Sequence, residues 1–406
     1  MSTTTTASAG RPIAPPRAAD PRSPFVRLSE LIAGIAPGLP AIDLGVGEPR
    51  HGVPDFVAPV LAAHVAAFGQ YPRNEGTPAF REAAAAWAAR RFGLARVPDP
   101  GTEVLVLNGS REGLFLAAIA ARRFVDGRAG RPAILVPNPF YAAYAAGAAS
   151  ADCEPVFLPA TRETGFLPDL DALPEALLRR TVAMFLASPS NPQGAVASPA
   201  YLERAAGLAR RFGFLLFSDE CYSEIYTRSP PSSILAAAGG RFENVLAFQS
   251  LSKRSNLPGL RTGFVIGDRR FLAHFLDLRT VAAPQVPVPA QEVAIAALAD
   301  EAHVDANRDL YREKFDLADA IIAGRYGYRR PDGGFFLWLD VTAHGGDEAV
   351  ARALWRDAGV RVLPGSYAAR EDGDGNNPGR GYIRAALVHS RDTTAEALRR
   401  IVAVLG

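Results

Sequence analysis

The chain has 406 residues, a formal net charge of +2 and 21% charged residues. No basic block is dense enough to grip nucleic acid or an anionic membrane surface, so the expected partners are small molecules. With 48% hydrophobic residues, the length fills more than one core, and two domains are expected.

The first 24 residues, MSTTTTASAGRPIAPPRAADPRSP, lack the apolar core of a secretory signal and offer nothing to bury. Residues 1–24 therefore read as a disordered tail and the protein as cytoplasmic. No apolar run is long enough to span a bilayer. Cys153 and Cys221 are isolated thiols, and the six histidines form no H-x-x-x-H pair, so neither a disulfide framework nor a metal site is expected. Lysine is scarce: Lys253 and Lys314 stand against 42 arginines. A guanidinium stays protonated and cannot act as an amine nucleophile, so any lysine chemistry has two candidates.

Along the chain, residues 25–55 read as a segment that joins the smaller domain, and 56–289 as the large domain. Within the large domain, short β-rich runs at 104–107, 133–136, 182–186, 214–217, 245–248 and 262–266 alternate with helical stretches such as 110–123 and 201–212. Nearly continuous apolar strands separated by amphipathic helices predict a mostly parallel sheet buried on both faces, in a three-layer α/β/α arrangement. The Pro-rich VAAPQVPVPAQ reads as a hinge. Beyond it, 290–406 reads as a smaller α+β domain: one long helix over 290–326, then GGFFLWLDV, a helix over 347–357, GYIRAALV and a final helix.

Ligands of open α/β sheets bind beyond the carboxyl ends of the strands, so the residues there carry the functional argument. NGSREG follows the first run, and its helix start near Ser110 and Arg111 either is simply capped or receives a phosphate. PNPFYAAY puts Tyr141 at the next strand end, as a core ring or as a stacker on a flat ligand. In ASPSNPQG, Asn191 is a turn former or a donor to a ring oxygen. In SDECYSEIY, Asp219 ends a buried strand and needs a partner, which a protonated pyridinium would supply, with Tyr222 a nearby hydroxyl. QSLSKRSNLPGLRTGF brings Ser250, Ser252, Lys253 and Arg261, able to hold a phosphate dianion beside an amine nucleophile. Each signal alone is ambiguous. Together they are the groups that pyridoxal 5′-phosphate requires. The charge-rich pattern around Lys314, NRDLYREKFDLADA, predicts a solvated helix face.

From about Ser23 to its end, the chain resembles the fold type I, class I/II pyridoxal-phosphate-dependent aminotransferases. SLSKRSNLPGLRTGF is similar to the Schiff-base segment of that family, SPSNPQG to its Asn-Pro-x-Gly turn and SDECYSEIY to its Asp-x-x-Tyr segment. The resemblance implies that Lys253 carries the cofactor and moves a proton, and that Asp219 keeps its ring nitrogen protonated. By the same likeness Asn191 and Tyr222 bond the phenolic oxygen, Tyr141 stacks on the ring, and Ser110, Arg111, Ser250, Ser252 and Arg261 serve the phosphate. YPRNEGTPAFREA implies that Tyr71 reaches the phosphate of a neighbouring subunit, and so a homodimer. GYIRAALV implies that Arg384 grips the substrate α-carboxylate, which Gly47 in GVGEP would approach through its backbone, with Asn191 also touching substrate.

Within the family, SPFVRL, GEPRHGVP, SLSKRSNLPG, DEAHVDANRDLYREKF, PDGGFFLWLD and LPGSYAARE resemble the succinyldiaminopimelate transaminases, while TVAAPQVPVPAQ departs from them. That likeness implies glutamate as amino donor and N-succinyl-2-amino-6-oxopimelate as acceptor, with amino acids and 2-oxo acids as the only partners besides a second subunit. A general aminotransferase acting on aspartate, alanine or aromatic amino acids is the alternative, and a β-lyase a further one. Arg27, Arg50 and His51 are candidates for the distal carboxylates, each otherwise a solvated surface residue.

Overall fold

A computed structural model describes residues 22–406; most of the expected tail lies outside them. Ser23 belongs to an ordered helix start, accepting from the Val26 amide to cap Pro24–Leu31. The strands, in chain order, are β1 Ile42–Asp43, β2 Val104–Leu107, β3 Ala133–Asn138, β4 Glu154–Pro159, β5 Thr181–Ala187, β6 Leu215–Asp219, β7 Val245–Ser250, β8 Gly263–Gly267, β9 Phe336–Asp340, β10 Val360–Arg361, β11 Leu363–Pro364 and β12 Tyr382–Ala386.

Seven strands form one sheet in the order β2-β8-β7-β6-β5-β3-β4. Side chains alternate across it with period two. Leu105, Leu107, Ile134, Val136, Leu215 and Phe217 enter one core, whereas Val104, Val106, Leu135, Leu216 and Val245 enter the other. The helices Ser110–Phe124, Ala142–Ser150 and Arg269–Ala282 bury apolar residues in the first core, and Pro78–Phe92, Pro199–Phe212 and Val288–Ala299 in the second. Both faces are therefore covered, as the continuous apolar runs predict. The helix signals are local: Ser198 accepts from the Tyr201 amide, Pro199 occupies the first turn, and Gly213 ends the helix in the left-handed region at φ 69°, where other residues are strained.

Topology aligns the site. β8 runs antiparallel to both its neighbours and the other pairings are parallel. The carboxyl ends of β2, β3, β5, β6 and β7 thus share one edge, and the residues preceding β8 arrive at that same edge.

A three-stranded antiparallel sheet, β11-β12-β9, and the two-stranded parallel pair β1-β10 share a further core with residues of Ala302–Ile322, Asp347–Ala358 and Arg391–Leu405. The single helix expected over 290–326 is two, Val288–Ala299 and Ala302–Ile322. Asp300 stands at the break, its carboxylate accepting from the Ala302 amide two residues on at 2.8 Å, a local side-chain bond that competes with helix continuation. Ala290, Ala294, Ala297 and Leu298 pack into the large sheet's core, so this packing runs past Pro289. The edge strand β4 escaped the sequence reading, because Pro155 and Pro159 mask a β pattern that only an edge tolerates.

Among the described residues, no helix is long and apolar enough to cross a membrane, and no cluster of His, Cys, Asp or Glu has the makings of a metal site. Arg279, 2% exposed, pairs with Glu112 across two helices, and Glu112 also accepts from the Asn108 amide at the end of β2. Removing one member of such a pair strands the other charge. Arg279→Ala is expected to lower unfolding free energy by about 3–5 kcal/mol in urea denaturation, and Arg279→Met with Glu112→Leu to recover most of that loss.

Candidate active site

The end of β2 supplies an anion cradle. Gly109, at φ 80°, precedes the helix Ser110–Phe124, whose start has no side-chain cap. The first amides of that helix lack intrahelical acceptors and favour an anion. An added Cβ at Gly109 would collide with the Arg261 guanidinium, so glycine here makes room for a cation at the cradle. Arg261, itself at φ 55° just before β8, donates to the carbonyls of Pro258 at 2.7 Å and Asn108 at 3.2 Å. Ser250 lies at the end of β7, its Oγ accepting from the Ser252 amide at 3.2 Å and donating to Ser252 Oγ at 3.0 Å. Arg111 Nε donates to the Tyr141 hydroxyl at 2.5 Å, which joins the ends of β2 and β3.

Asp219 is buried at the end of β6. Burial pushes its carboxyl above the usual range, while hydrogen bonds from the Tyr144 hydroxyl at 2.6 Å and the Cys221 amide at 3.2 Å oppose the rise. Tyr144 was missed by sequence reasoning. Its ring stacks on Phe185 with centroids 4.5 Å apart, and the signal was the i, i+3 spacing of tyrosines in FYAAY, which puts both on one helical side. Tyr222 is buried nearby, edge-on to Phe335 at 5.3 Å and Phe336 at 5.9 Å.

Lys253 follows β7 in the short helix Leu251–Arg254. Its Nζ donates to the Gly47 carbonyl at 2.8 Å and lies 5.3 Å from the Phe335 ring centroid. Burial pulls its pKa down to about 8. Gly47 has a packing reason to be glycine: an added Cβ would meet Phe336 at 2.6 Å. Arg384 sits on β12 opposite Trp338 and is only 7% exposed. It donates to Asn191 Oδ1 at 3.0 Å and to the Gly45 carbonyl at 2.8 Å. Both acceptors are neutral, its Nε has no partner among the described residues, and burial pulls its pKa down to about 10. Asn191 is thereby tied to the arginine as well as to its turn.

Three expectations change. Lys314 is 2% exposed, not on a solvated face: its Nζ lies 2.6 Å from His51 Nε2 and donates to the Leu387 carbonyl at 3.1 Å. His51 is half-buried in that contact, whereas Arg50 is exposed as expected. Arg27 lies 3.7 Å over the Tyr367 ring, a cation–π contact between the helix Pro24–Leu31 and the short turn that follows β11. Tyr71, at 96% exposure, does not fold into the site of its own chain.

These groups suit pyridoxal 5′-phosphate. The uncapped helix start with Ser110, Arg261 and Ser250 matches a phosphate, the buried Asp219 a protonated ring nitrogen, and the depressed amine of Lys253 an aldehyde.

Residues 40–401 match the family model described as aminotransferase class I and II. The chain is 36% identical over 388 residues to the LL-diaminopimelate aminotransferase of Desulforudis audaxviator, covering 94% of this chain and 95% of that protein. It is similar to a crystal structure of an aminotransferase from Neisseria meningitidis, at 38% identity with a TM-score of 0.88 over 95% of this chain and 98% of that one. A probable N-succinyldiaminopimelate aminotransferase from Thermus thermophilus superposes with a TM-score of 0.81 at 28% identity, over 94% of this chain and 100% of that one.

The lowered pKa of Lys253 has a kinetic consequence. The neutral amine is the nucleophile, so apoprotein should capture added pyridoxal phosphate faster as pH rises through about 8, then level off. Stopped-flow absorbance checks this; a rate still climbing toward the ordinary lysine range of about 10.4 would contradict the burial argument.

Proposed function

The chain belongs to the class I and II aminotransferases, pyridoxal-phosphate enzymes, and on that premise we propose that it exchanges an amino group between glutamate and the keto acid corresponding to a diaminopimelate. The N-succinylated substrate, N-succinyl-2-amino-6-oxopimelate, is the form the sequence motifs favour. The observation that carries an amino-acid substrate is Arg384: a buried guanidinium held by two neutral acceptors keeps its charge for an incoming carboxylate, which it grips bidentately.

Bound here, the cofactor supplies an aldehyde that accepts the amino group and a ring that stores the electron pair released at the substrate Cα. The residues do the rest. Lys253 would hold the cofactor and, once freed from it, would carry a proton between the substrate Cα and C4′, a role its pKa near 8 suits because the amine both gains and loses a proton close to neutrality. Asp219 keeps the ring nitrogen protonated, and Tyr144 orients that carboxylate. Asn191 and Tyr222 bond the phenolic oxygen, and Tyr141 covers the ring. The amides of Ser110 and Arg111, with Ser250, Ser252 and Arg261, anchor the phosphate. Gly47 and Asn191 complete the substrate side around Arg384.

A second reading, transfer to the unacylated keto acid so that LL-diaminopimelate itself is the product, is supported by the name of the Desulforudis relative. With 2-oxoglutarate as acceptor, glutamate formation from N-succinyl-LL-diaminopimelate is expected to exceed that from free LL-diaminopimelate by about tenfold in kcat/KM, the scale of a well-filled pocket. The reverse preference establishes the second reading, and preference for aspartate, alanine or an aromatic amino acid overturns both.

Tyr71 supports a homodimer, being exposed a few residues after the exposed apolar Val65 and Phe68 in the sequence. Its hydroxyl then serves the phosphate of the partner subunit. Mixing inactive Lys253→Ala and Tyr71→Ala proteins should restore up to about a quarter of wild-type activity, from the one intact site in each hybrid dimer. No restoration would mean that Tyr71 serves its own chain, and a Tyr71→Ala protein that is active alone would mean that it serves no site.

A further inference from the structure

The only two lysines of the chain are joined by a continuous hydrogen-bonded path. Lys314 Nζ lies 2.6 Å from His51 Nε2, and His51 Nδ1 lies 2.7 Å from Asn307 Oδ1. Asn307 Nδ2 reaches the backbone carbonyls of Lys253 at 3.1 Å and Arg254 at 3.2 Å. Those carbonyls end the short helix Leu251–Arg254 and have no partner within it. Asn307 must therefore turn its amide toward them and its oxygen toward the imidazole, where the Asn256 side-chain amide also donates, at 2.9 Å.

That orientation fixes the others. His51 donates from Nδ1, so a neutral ring accepts at Nε2, and Lys314 is the donor. An amine in either protonation state has hydrogens for both the imidazole and the Leu387 carbonyl. Burial lowers the pKa of His51, consistent with a neutral ring. Asn307 and Lys314 stand seven residues apart on the helix Ala302–Ile322, on one face, with the imidazole bridging them and packing 4.5 Å from the Tyr311 ring.

The same loop holds the other end of Lys253. His51 lies four residues after Gly47, whose carbonyl accepts from Lys253 Nζ at 2.8 Å. We propose that Lys314, His51 and Asn307 form a brace that positions Lys253, Asn307 fixing its backbone directly and Lys314 acting only through His51. Lys314 is thus a positioning residue. This rests on Lys253 being the cofactor lysine.

Apoproteins of the wild type, Lys314→Met, His51→Phe and the double variant are mixed with pyridoxal 5′-phosphate, and the rate of the visible band is followed. Borohydride fixation with peptide mass mapping identifies the labelled lysine. Binding of pyridoxamine 5′-phosphate, which uses the cradle but has no aldehyde for the amine, is measured alongside. Lys314→Met should capture pyridoxal phosphate about tenfold more slowly, the effect of one buried hydrogen bond to an ionisable group, and bind pyridoxamine phosphate within twofold of wild type. The double variant should be no slower than His51→Phe alone, since both act along one path. Unchanged capture by Lys314→Met with the label on Lys253 overturns the brace and leaves Lys253 in place. Additive losses, or equal losses with both vitamers, overturn it also. Label on Lys314, or normal capture by Lys253→Ala, overturns the assignment of Lys253 itself.

Discussion

Three ionisable groups lie withdrawn from water, Asp219 and Lys253 at the edge of the large sheet and Arg384 on the small one, and none of them forms a salt bridge among the described residues. A charge taken out of water without a counter-charge is destabilised. Burial raises the Asp219 carboxyl, lowers the Lys253 amine to about 8 and lowers the Arg384 guanidinium to about 10. A ring nitrogen, an aldehyde and a carboxylate are the groups that relieve those three strains. The fold tolerates the arrangement through neutral dipoles: the Tyr144 hydroxyl, the Gly47 and Gly45 carbonyls and the Asn191 amide.

The sheet topology makes this concentration possible. Parallel strands bring their carboxyl ends together, and the single reversed strand β8 adds what precedes it, Arg261, to the same edge. The large sheet thus supplies the uncapped helix start after β2, Asp219 and Lys253, while β12 of the small sheet supplies Arg384. Asn191 and Arg384 meet at 3.0 Å across a sequence separation of 193, so this pairing exists only once both cores have formed.

What the sequence made legible follows from which signals are local. Apolar runs buried on both faces, such as Val104–Leu107, need no partner to be recognised, and the residues after them mark the edge. Features set by long-range packing were hidden. β4 carries two prolines that only its edge position excuses. Asp300 stands at the break in a helical pattern whose periodicity runs on across it. Lys314 and Asn307 sit in a stretch as charged as any surface helix, yet both are buried and both contact His51, more than 250 residues away. Tyr144 was within reach, since FYAAY places it one helical turn beyond a tyrosine already singled out.

The shortage of lysine reads differently once its locations are known. Neither Lys253 nor Lys314 is exposed, and every other basic side chain apart from histidine is a guanidinium. Aldehydes, whether sugars, semialdehyde metabolites or the vitamin itself, condense readily with amines and poorly with guanidinium ions. Over the described residues, the exterior of this protein therefore offers no lysine amine with which a simple aldehyde could form an imine. Imine formation at lysine is thus confined to two positions that are withdrawn from the surface.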